Sequence, residues 1–239
     1  KGWCFDSKSQ KSAGDPVDLF SGSFQIQNID LAVPGIIQPQ MARWYQSAFG
    51  AKDGPFGKGT SLMPYSASVK VKTDGNGQVI KAGGTEITYS SGDHTEVTLK
   101  DMAGDLTFTA PDKTGFADSK ITVQTDSQSK MTGAKLLKAN GDQFLFDGNG
   151  YLIQVQDRNQ NAVAITRDSA HLITRIEDPS THKGMDLVYD GNQHVTQVTG
   201  IAGQTIQYTY NPEGRLIRIT DPAGQSVSFT YDANGQMLT

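Results

Sequence analysis

Between Gly141 and Thr239 one short pattern returns at a near-constant interval. Its anchor pairs are Phe146-Asp147, Arg167-Asp168, Tyr189-Asp190, Tyr210-Asn211 and Tyr231-Asp232, spaced 21, 22, 21 and 21 residues apart. A fixed period of this size marks an array of supersecondary units, each too small to bury its own apolar face. Alternation by twos leads into each anchor. Ile206, Tyr208 and Tyr210 point one way while Thr205, Gln207 and Thr209 point the other, and Val227, Phe229 and Tyr231 repeat the apolar side. Earlier copies place Met185, Leu187 and Tyr189, and before them Val163, Ile165 and Arg167, in the same slots. This is the period of a β-strand with two distinct faces.

After each anchor comes a turn such as Asp147-Gly148-Asn149-Gly150 or Asp232-Ala233-Asn234-Gly235, then a second strand marked by Leu152, Leu172, Val195, Leu216 or Met237. An aspartate at the strand end caps its turn by accepting backbone N–H bonds. The residues expected to carry the array are Asp147, Asp168, Tyr189, Asp190, Tyr210, Tyr231 and Asp232, with Leu152, Leu172 and Leu216 in the second strands. Because an isolated hairpin is marginal in water, successive copies must stack their aromatic stripe. The expected fold class is all-β: an extended, twisted antiparallel sheet of hairpins that gains two strands per copy and curls as it grows. Its last edge, near Thr239, is an expected association site.

Three regions are expected: 1–66, a lead-in; 67–140, a run of hairpins; and 141–239, the repeat array. In the lead-in, Gly14-Asp15-Pro16-Val17 turns into a strand, Phe24, Ile26 and Ile29 alternate, Val33-Pro34-Gly35 turns, and Met41 to Ser47 reads as another strand. Gly54-Pro55-Phe56-Gly57-Lys58-Gly59 is a glycine-rich loop; its lysine lies between glycines, so it lacks the phosphate-loop spacing. In the middle region Ser68–Thr73 is expected to pair with Gln78–Lys81 across Asp74-Gly75-Asn76-Gly77, and further hairpins follow. Phe116 to Lys120 reads as a longer loop.

Composition narrows the function classes. With 21 basic against 25 acidic residues and a net charge of -4, no broad basic face exists for nucleic acid. Apolar runs are only a few residues long, which excludes a membrane span built from a helix. The single cysteine, Cys4, allows no intrachain disulfide and reads as an incidental thiol. The chain starts at Lys1 rather than methionine and stops one strand into a repeat, so a longer protein is expected.

Few residues form a chemical constellation. Asp157, Asn159 and Asn161 offer oxygens at calcium-loop positions, but Ala162 stands where such a loop needs glycine and Asp168 where it needs glutamate. A repeat turn is the better reading. His171 and His194 are placed in equivalent slots of adjacent copies, without a third ligand for zinc. No Gly-x-Ser-x-Gly elbow occurs. No catalytic, metal or cofactor residue is therefore assigned, and a non-enzymatic role is expected. A glycan-binding or cell-surface β module is the alternative, resting on the Thr, Ser and Gln ladders beside Tyr and Trp44.

The tyrosine-aspartate period, with Gly150-Tyr151-Leu152 and Gly214-Arg215-Leu216 and the later aspartates Asp157, Asp178 and Asp221, resembles the RHS, or YD-repeat, family. The lead-in is similar to the region preceding such repeats in bacterial RHS proteins. Its matching elements are Gly14-Asp15-Pro16-Val17, Ser21-Gly22-Ser23-Phe24, Asp30-Leu31 to Pro34-Gly35, Arg43-Trp44-Tyr45 with Ser47, and Gly54-Pro55-Phe56-Gly57 with Gly59. Thr60, Asn211, Arg167 and Thr199 depart from the family pattern. Asp178-Pro179 and Asp221-Pro222 resemble the Asp-Pro element at which RHS proteins cleave themselves, but Gln225 follows Gly224 inside a regular repeat.

The resemblance implies a β-sheet ribbon spiralling into a hollow shell that encloses a C-terminal toxin domain during export. The implied partners are the remainder of the same polypeptide, its enclosed toxin and secretion-apparatus proteins. The implied setting is bacterial competition, with a secreted, exported or cell-surface location reached by type VI secretion, a Tc-type complex or a cell-wall-linked system.

Overall fold

The structure, a computed structural model, describes Val17, residues 22–109 and residues 118–238. The elements read at Cys4, at Gly14-Asp15-Pro16, at Ser21, at residues 116 and 117 and at Thr239 lie outside the described residues. Among those described there is no α-helix: eighteen strands are joined by turns and two single-turn 3-10 segments.

The first sheet holds β1 (Gln25–Ala32), β2 (Gln40–Gln46) and β3 (Thr60–Leu62), and the second holds β4 (Ser68–Val71), β5 (Thr85–Ser90) and β6 (Glu96–Asp101). The long sheet has twelve strands. They are β7 (Thr107–Thr109), β8 (Lys120–Thr125), β9 (Met131–Leu137), β10 (Gln143–Phe146), β11 (Leu152–Gln156), β12 (Ala162–Arg167), β13 (Ile173–Asp178), β14 (Lys183–Tyr189), β15 (Val195–Thr199), β16 (Thr205–Tyr210), β17 (Leu216–Thr220) and β18 (Ser226–Ser228). Hydrogen-bonded order follows chain order from β7 to β18, and the pairings are antiparallel. Strict succession follows from short connections, because a turn of a few residues can only return the chain beside the strand it left.

One turn design closes most of these hairpins. In the turn after β10, the Asp147 N–H donates to the Tyr151 carbonyl (2.9 Å) and the Gly150 N–H to the Asp147 carbonyl (3.0 Å). Asp147 Oδ1 accepts from the N–H groups of Asn149 and Tyr151, each at 2.9 Å. The same pair of side-chain bonds recurs at Asp168, Asp190, Asp221 and Asp232, and also at Asp74, Asp126 and Asp157. Three residues after the anchor the backbone is left-handed: φ is +82° at Gly150, +77° at Gly214 and +74° at Gly235, but also +67° at Gln193 and +63° at His171.

The described chain forms two compact units, one from the residues to Met63 together with Thr166 onward, the other from Pro64 to Ile165. The 141–239 array is thus shared between units, and each lead-in stretch packs with a different part of it. In the Pro64–Ile165 unit the Val69 N–H donates to the Gly150 carbonyl (2.9 Å), and Tyr89 meets the Phe146 ring edge-on at 6.4 Å. The pairing expected between 68–73 and 78–81 is present but short: Thr73 and Val79 bridge, the Asp74 N–H donates to the Gln78 carbonyl (2.9 Å) and the Ile80 N–H to the Lys72 carbonyl (3.2 Å), while β4 pairs with β5. The Val79 N–H, on the side of its strand away from Thr73, donates to the Ser129 carbonyl (2.8 Å).

In both units the apolar stripe of the long sheet is covered by the chain's own N-terminal strands rather than only by ring stacking between copies. Phe146, Leu152, Met185, Val198 and Ile206 are all buried. Gln193→Gly should raise stability by about 0.5–1 kcal/mol in thermal unfolding, since left-handed strain is relieved at the cost of some backbone entropy. Gly150→Ala should lower it by more than about 2 kcal/mol, because strain is joined by collision of the new Cβ with the Val69 carbonyl oxygen.

Candidate functional site

Two anchor tyrosines, Tyr189 and Tyr210, end a strand beside a β-bulge, and Tyr231 bridges to Met237. Tyr189 pairs with Val195 while Val188 pairs with Gln197, leaving Thr196 as the extra residue. Tyr210 with Leu216, and Phe146 with Leu152, show the same shift. A bulge disrupts the ladder locally, so the backbone groups of the residue opposite the anchor need partners from elsewhere.

They find them in a repeating way. The Tyr189 hydroxyl donates to the Ile173 carbonyl (2.8 Å), Tyr210 to Val195 (2.5 Å) and Tyr231 to Leu216 (2.7 Å). Tyr210 and Tyr231 therefore reach the bulge carbonyl of the preceding copy, and Tyr189 reaches the carbonyl in the equivalent slot. On the other side the N–H groups are taken by the lead-in: Val195 donates to the Pro55 carbonyl (2.8 Å) and Met237 to the Tyr45 hydroxyl (3.0 Å). In the Pro64–Ile165 unit Leu152 donates to the Ala67 carbonyl (3.4 Å).

The loop 54–59 is shaped for this contact. Phe56, fully buried, lies 4.9 Å from the Tyr208 ring centroid, and the Lys58 N–H donates to the Gly214 carbonyl (3.0 Å). Thr60, which departs from the family pattern in lacking an aromatic, ties the loop: its hydroxyl donates to the Gly57 carbonyl (2.6 Å) and accepts from the Phe56 N–H (3.0 Å). Gly57 has φ +85°, and a Cβ there would strike the Gly214 carbonyl oxygen.

A buried polar group sits beside the loop. Arg43 donates through Nε to Asp30 Oδ2 (3.0 Å) and through Nη2 to Oδ1 (3.2 Å), the Tyr208 hydroxyl donates to Oδ2 (3.0 Å), and the guanidinium lies over the Phe229 ring. Their side chains are 2% and 1% exposed, so loss of either partner would leave an uncompensated buried charge. His194, also buried, has Nε2 3.4 Å from Asp53 Oδ1 and its ring against Tyr210.

The electrostatics keep the seam hydroxyls as donors. Burial raises the Tyr189, Tyr210 and Tyr208 phenols above their ordinary value of 10.0, and pushes Tyr231 up to about 12. Asp178 is held below the usual carboxylate range, first by the Ser180 hydroxyl at 2.6 Å and against the opposing effect of desolvation. Asp178, Asp221 and Asp157 each have a carboxylate oxygen engaged by the N–H groups of their own turns.

The structure places Asp147, Asp168, Asp190 and Asp232 at turn heads, Tyr189, Tyr210 and Tyr231 at the seam, and Leu152 and Leu216 in fully buried bulge slots. Leu172 is corrected: it is half-buried at the end of its turn, and Ile173 fills the slot assigned to it. The reason is register, since the slot lies five residues after the turn head at 147, 168, 190, 211 and 232 alike. His171 and His194 are likewise not equivalent, lying three and four residues after their turn heads. Arg167, in a tyrosine slot, donates instead to the carbonyl of His171 in its own turn (2.8 Å). Val227 is 61% exposed where the apolar pattern placed it beside buried Ile206. Trp44 is half-buried, and its indole Nε1 is fully inaccessible. The Arg43–Asp30–Tyr208 group was missed, because three residues so far apart in the chain share no local spacing.

Residues 14–89 match a family described as a domain of unknown function, DUF6531, and residues 189–223 and 210–239 match the RHS Repeat family. No curated protein matches the chain. Among solved structures it is similar to a chain in the crystal structure of TcdB2-TccC3-Cdc42, at 12% identity and a TM-score of 0.34, covering 90% of this chain and 14% of that one. It is also similar to a chain in TcdB2-TccC3-TEV, at 13% identity and a TM-score of 0.35, covering 93% of this chain and 12% of that one. The chain thus spans a small fraction of the length of the structures it resembles.

Tyr210→Phe should cost about 1–2 kcal/mol in urea unfolding, because it strands a buried carbonyl while keeping the ring. Stability should also fall in alkali. The unfolded tyrosines lose their protons from about pH 10, while the folded ones hold theirs to higher pH, so the contribution is complete below pH 10 and declines above it. Melting followed from pH 8 to 11 should show that decline, and Tyr210→Phe should make it shallower.

Proposed function

We propose, from the match of residues 189–239 to the RHS Repeat family, that the chain is a non-catalytic wall segment of an RHS-type shell, and that the complete protein encloses a C-terminal toxin domain and carries it out of the producing cell. The observation that carries this reading is the seam: every anchor tyrosine that bonds a bulge carbonyl reaches the copy before it. A contact that depends only on the neighbouring copy can be repeated without limit, which is what a wall built by addition requires. A lead-in docked on the copies anchored at Tyr189, Tyr210 and Tyr231 holds this part of such a wall in register. The buried polar groups serve this role by satisfying backbone and by holding chain to chain.

The partners on this reading are the rest of the same polypeptide, its enclosed toxin and the machinery that exports it. Among the described residues no helix is long and apolar enough to cross a membrane.

The test is to purify the complete natural protein and image it by electron microscopy. A hollow particle whose C-terminal domain resists protease until the particle is opened is the expected result. An open sheet or a string of separate domains, with that domain cut at once, would contradict it.

A further inference from the structure

Asparagine followed by glycine occurs four times in the chain, at Asn76-Gly77, Asn140-Gly141, Asn149-Gly150 and Asn234-Gly235, and all four asparagines are exposed. In each pair the glycine has positive φ, and its N–H donates to the carbonyl three residues earlier at 2.9–3.1 Å. Such a pair is chemically labile. With no side chain to screen it, the glycine nitrogen can attack the asparagine amide carbon through a five-membered ring once the turn opens. The four differ in what holds the turn shut. At Asn149 the Gly150 carbonyl accepts from the Val69 N–H (2.9 Å), and the Val69 carbonyl lies where a Gly150 Cβ would stand. At Asn234 the Gly235 carbonyl accepts from Arg215 Nη1, and the guanidinium covers the glycine. At Asn140 the side chain itself is held: Nδ2 donates to Asp142 Oδ2 (2.8 Å) and Oδ1 accepts from the Asp142 N–H (3.0 Å). Asn76 has none of these restraints. Residues 72–78 are all exposed, nothing lies within 4 Å of where a Cβ would stand at Gly75 or Gly77, and the hairpin is closed by the single Thr73–Val79 bridge and its flanking main-chain bonds.

We propose that Asn76 is a self-modifying site, converted without an enzyme to a mixture of aspartate and isoaspartate, with water as the co-reactant. The Gly77 nitrogen attacks Asn76 Cγ, the new N–Cγ bond closes a succinimide, and the Cγ–Nδ2 bond breaks. Ammonia leaves with the proton lost by the Gly77 nitrogen. Water then adds to one imide carbonyl and breaks its C–N bond: opening at Cγ gives aspartate, and opening at the backbone carbonyl carbon gives isoaspartate. No atom is oxidised or reduced. Either product places a second carboxylate beside Asp74, whose Oδ1 holds this turn through the Asn76 and Gln78 N–H groups (2.8 and 3.0 Å). Isoaspartate also lengthens the backbone between them. The hairpin tip loosens as a result, while Val79 stays held by the Ser129 carbonyl (2.8 Å). The proposal stands apart from the shell reading and survives its failure.

The test is to incubate the folded chain in mildly alkaline buffer, digest it, and follow the four asparagine peptides by mass spectrometry, with chromatographic separation of aspartate from isoaspartate. Asn76 should convert at least about tenfold faster than Asn140, Asn149 or Asn234, because its turn opens at the lowest free-energy cost. In concentrated urea the four should convert at similar rates, since each is then the same dipeptide in an open chain. Both aspartate and isoaspartate should form at Asn76. A folded chain in which Asn140, Asn149 or Asn234 converts as fast as Asn76, a ranking that persists in urea, or conversion at Asn76 without isoaspartate would each overturn the proposal.

Discussion

A hydrogen bond from a buried phenol to a bulge carbonyl is the constraint on which the array depends. The bulge bends each hairpin and takes one residue out of the ladder, and in a buried setting the carbonyl so freed must be satisfied. Tyr210 and Tyr231 do this from the following copy, and Tyr189 bonds the carbonyl in the equivalent slot, which turns a local defect into the joint between copies. Tyrosine suits the position because its ring buries apolar area while its hydroxyl reaches past the strand. Burial in turn keeps the phenol protonated, so the donor persists over the ordinary pH range.

The second half of the same problem is the bulge N–H, and here the lead-in and the first residue after it matter. Pro55, Ala67 and Tyr45 accept from Val195, Leu152 and Met237 respectively. Satisfying both sides of the bulge explains why a glycine-rich loop with little apolar content of its own packs so closely, with Phe56 fully buried and Gly57 against Gly214. The Arg43–Asp30–Tyr208 group adds polar specificity to this docking. Once formed it fixes which strand of the array the lead-in meets, since a shifted register would bury the charges unpaired.

Much of the fold was legible in the amino-acid sequence because the array's rules are local. Alternation fixes faces, Asp at the strand end fixes the turn, and the interval between anchors fixes the unit. The lapses came where a one-residue change of register mattered: Leu172 looks like Leu152, yet counting five from Asp168 reaches Ile173. Positive φ at Gln160, His171 and Gln193 was hidden for a related reason, as glycine usually announces that geometry. What could not be read was long-range. Nothing in the spacing of Asp30, Arg43 and Tyr208 announces a contact across the chain, and the cover over the aromatic stripe depends on tertiary packing.

The joint can be observed directly by proton NMR of the tyrosine hydroxyls. If the phenols of Tyr189, Tyr210 and Tyr231 bond the preceding copy's carbonyls, their hydroxyl protons will give resolved, slowly exchanging resonances, with that of Tyr210 close in space to the Val195 α-proton. Hydroxyl protons that exchange with water as fast as those of a free tyrosine would contradict the account, because the copies would then be joined by packing alone.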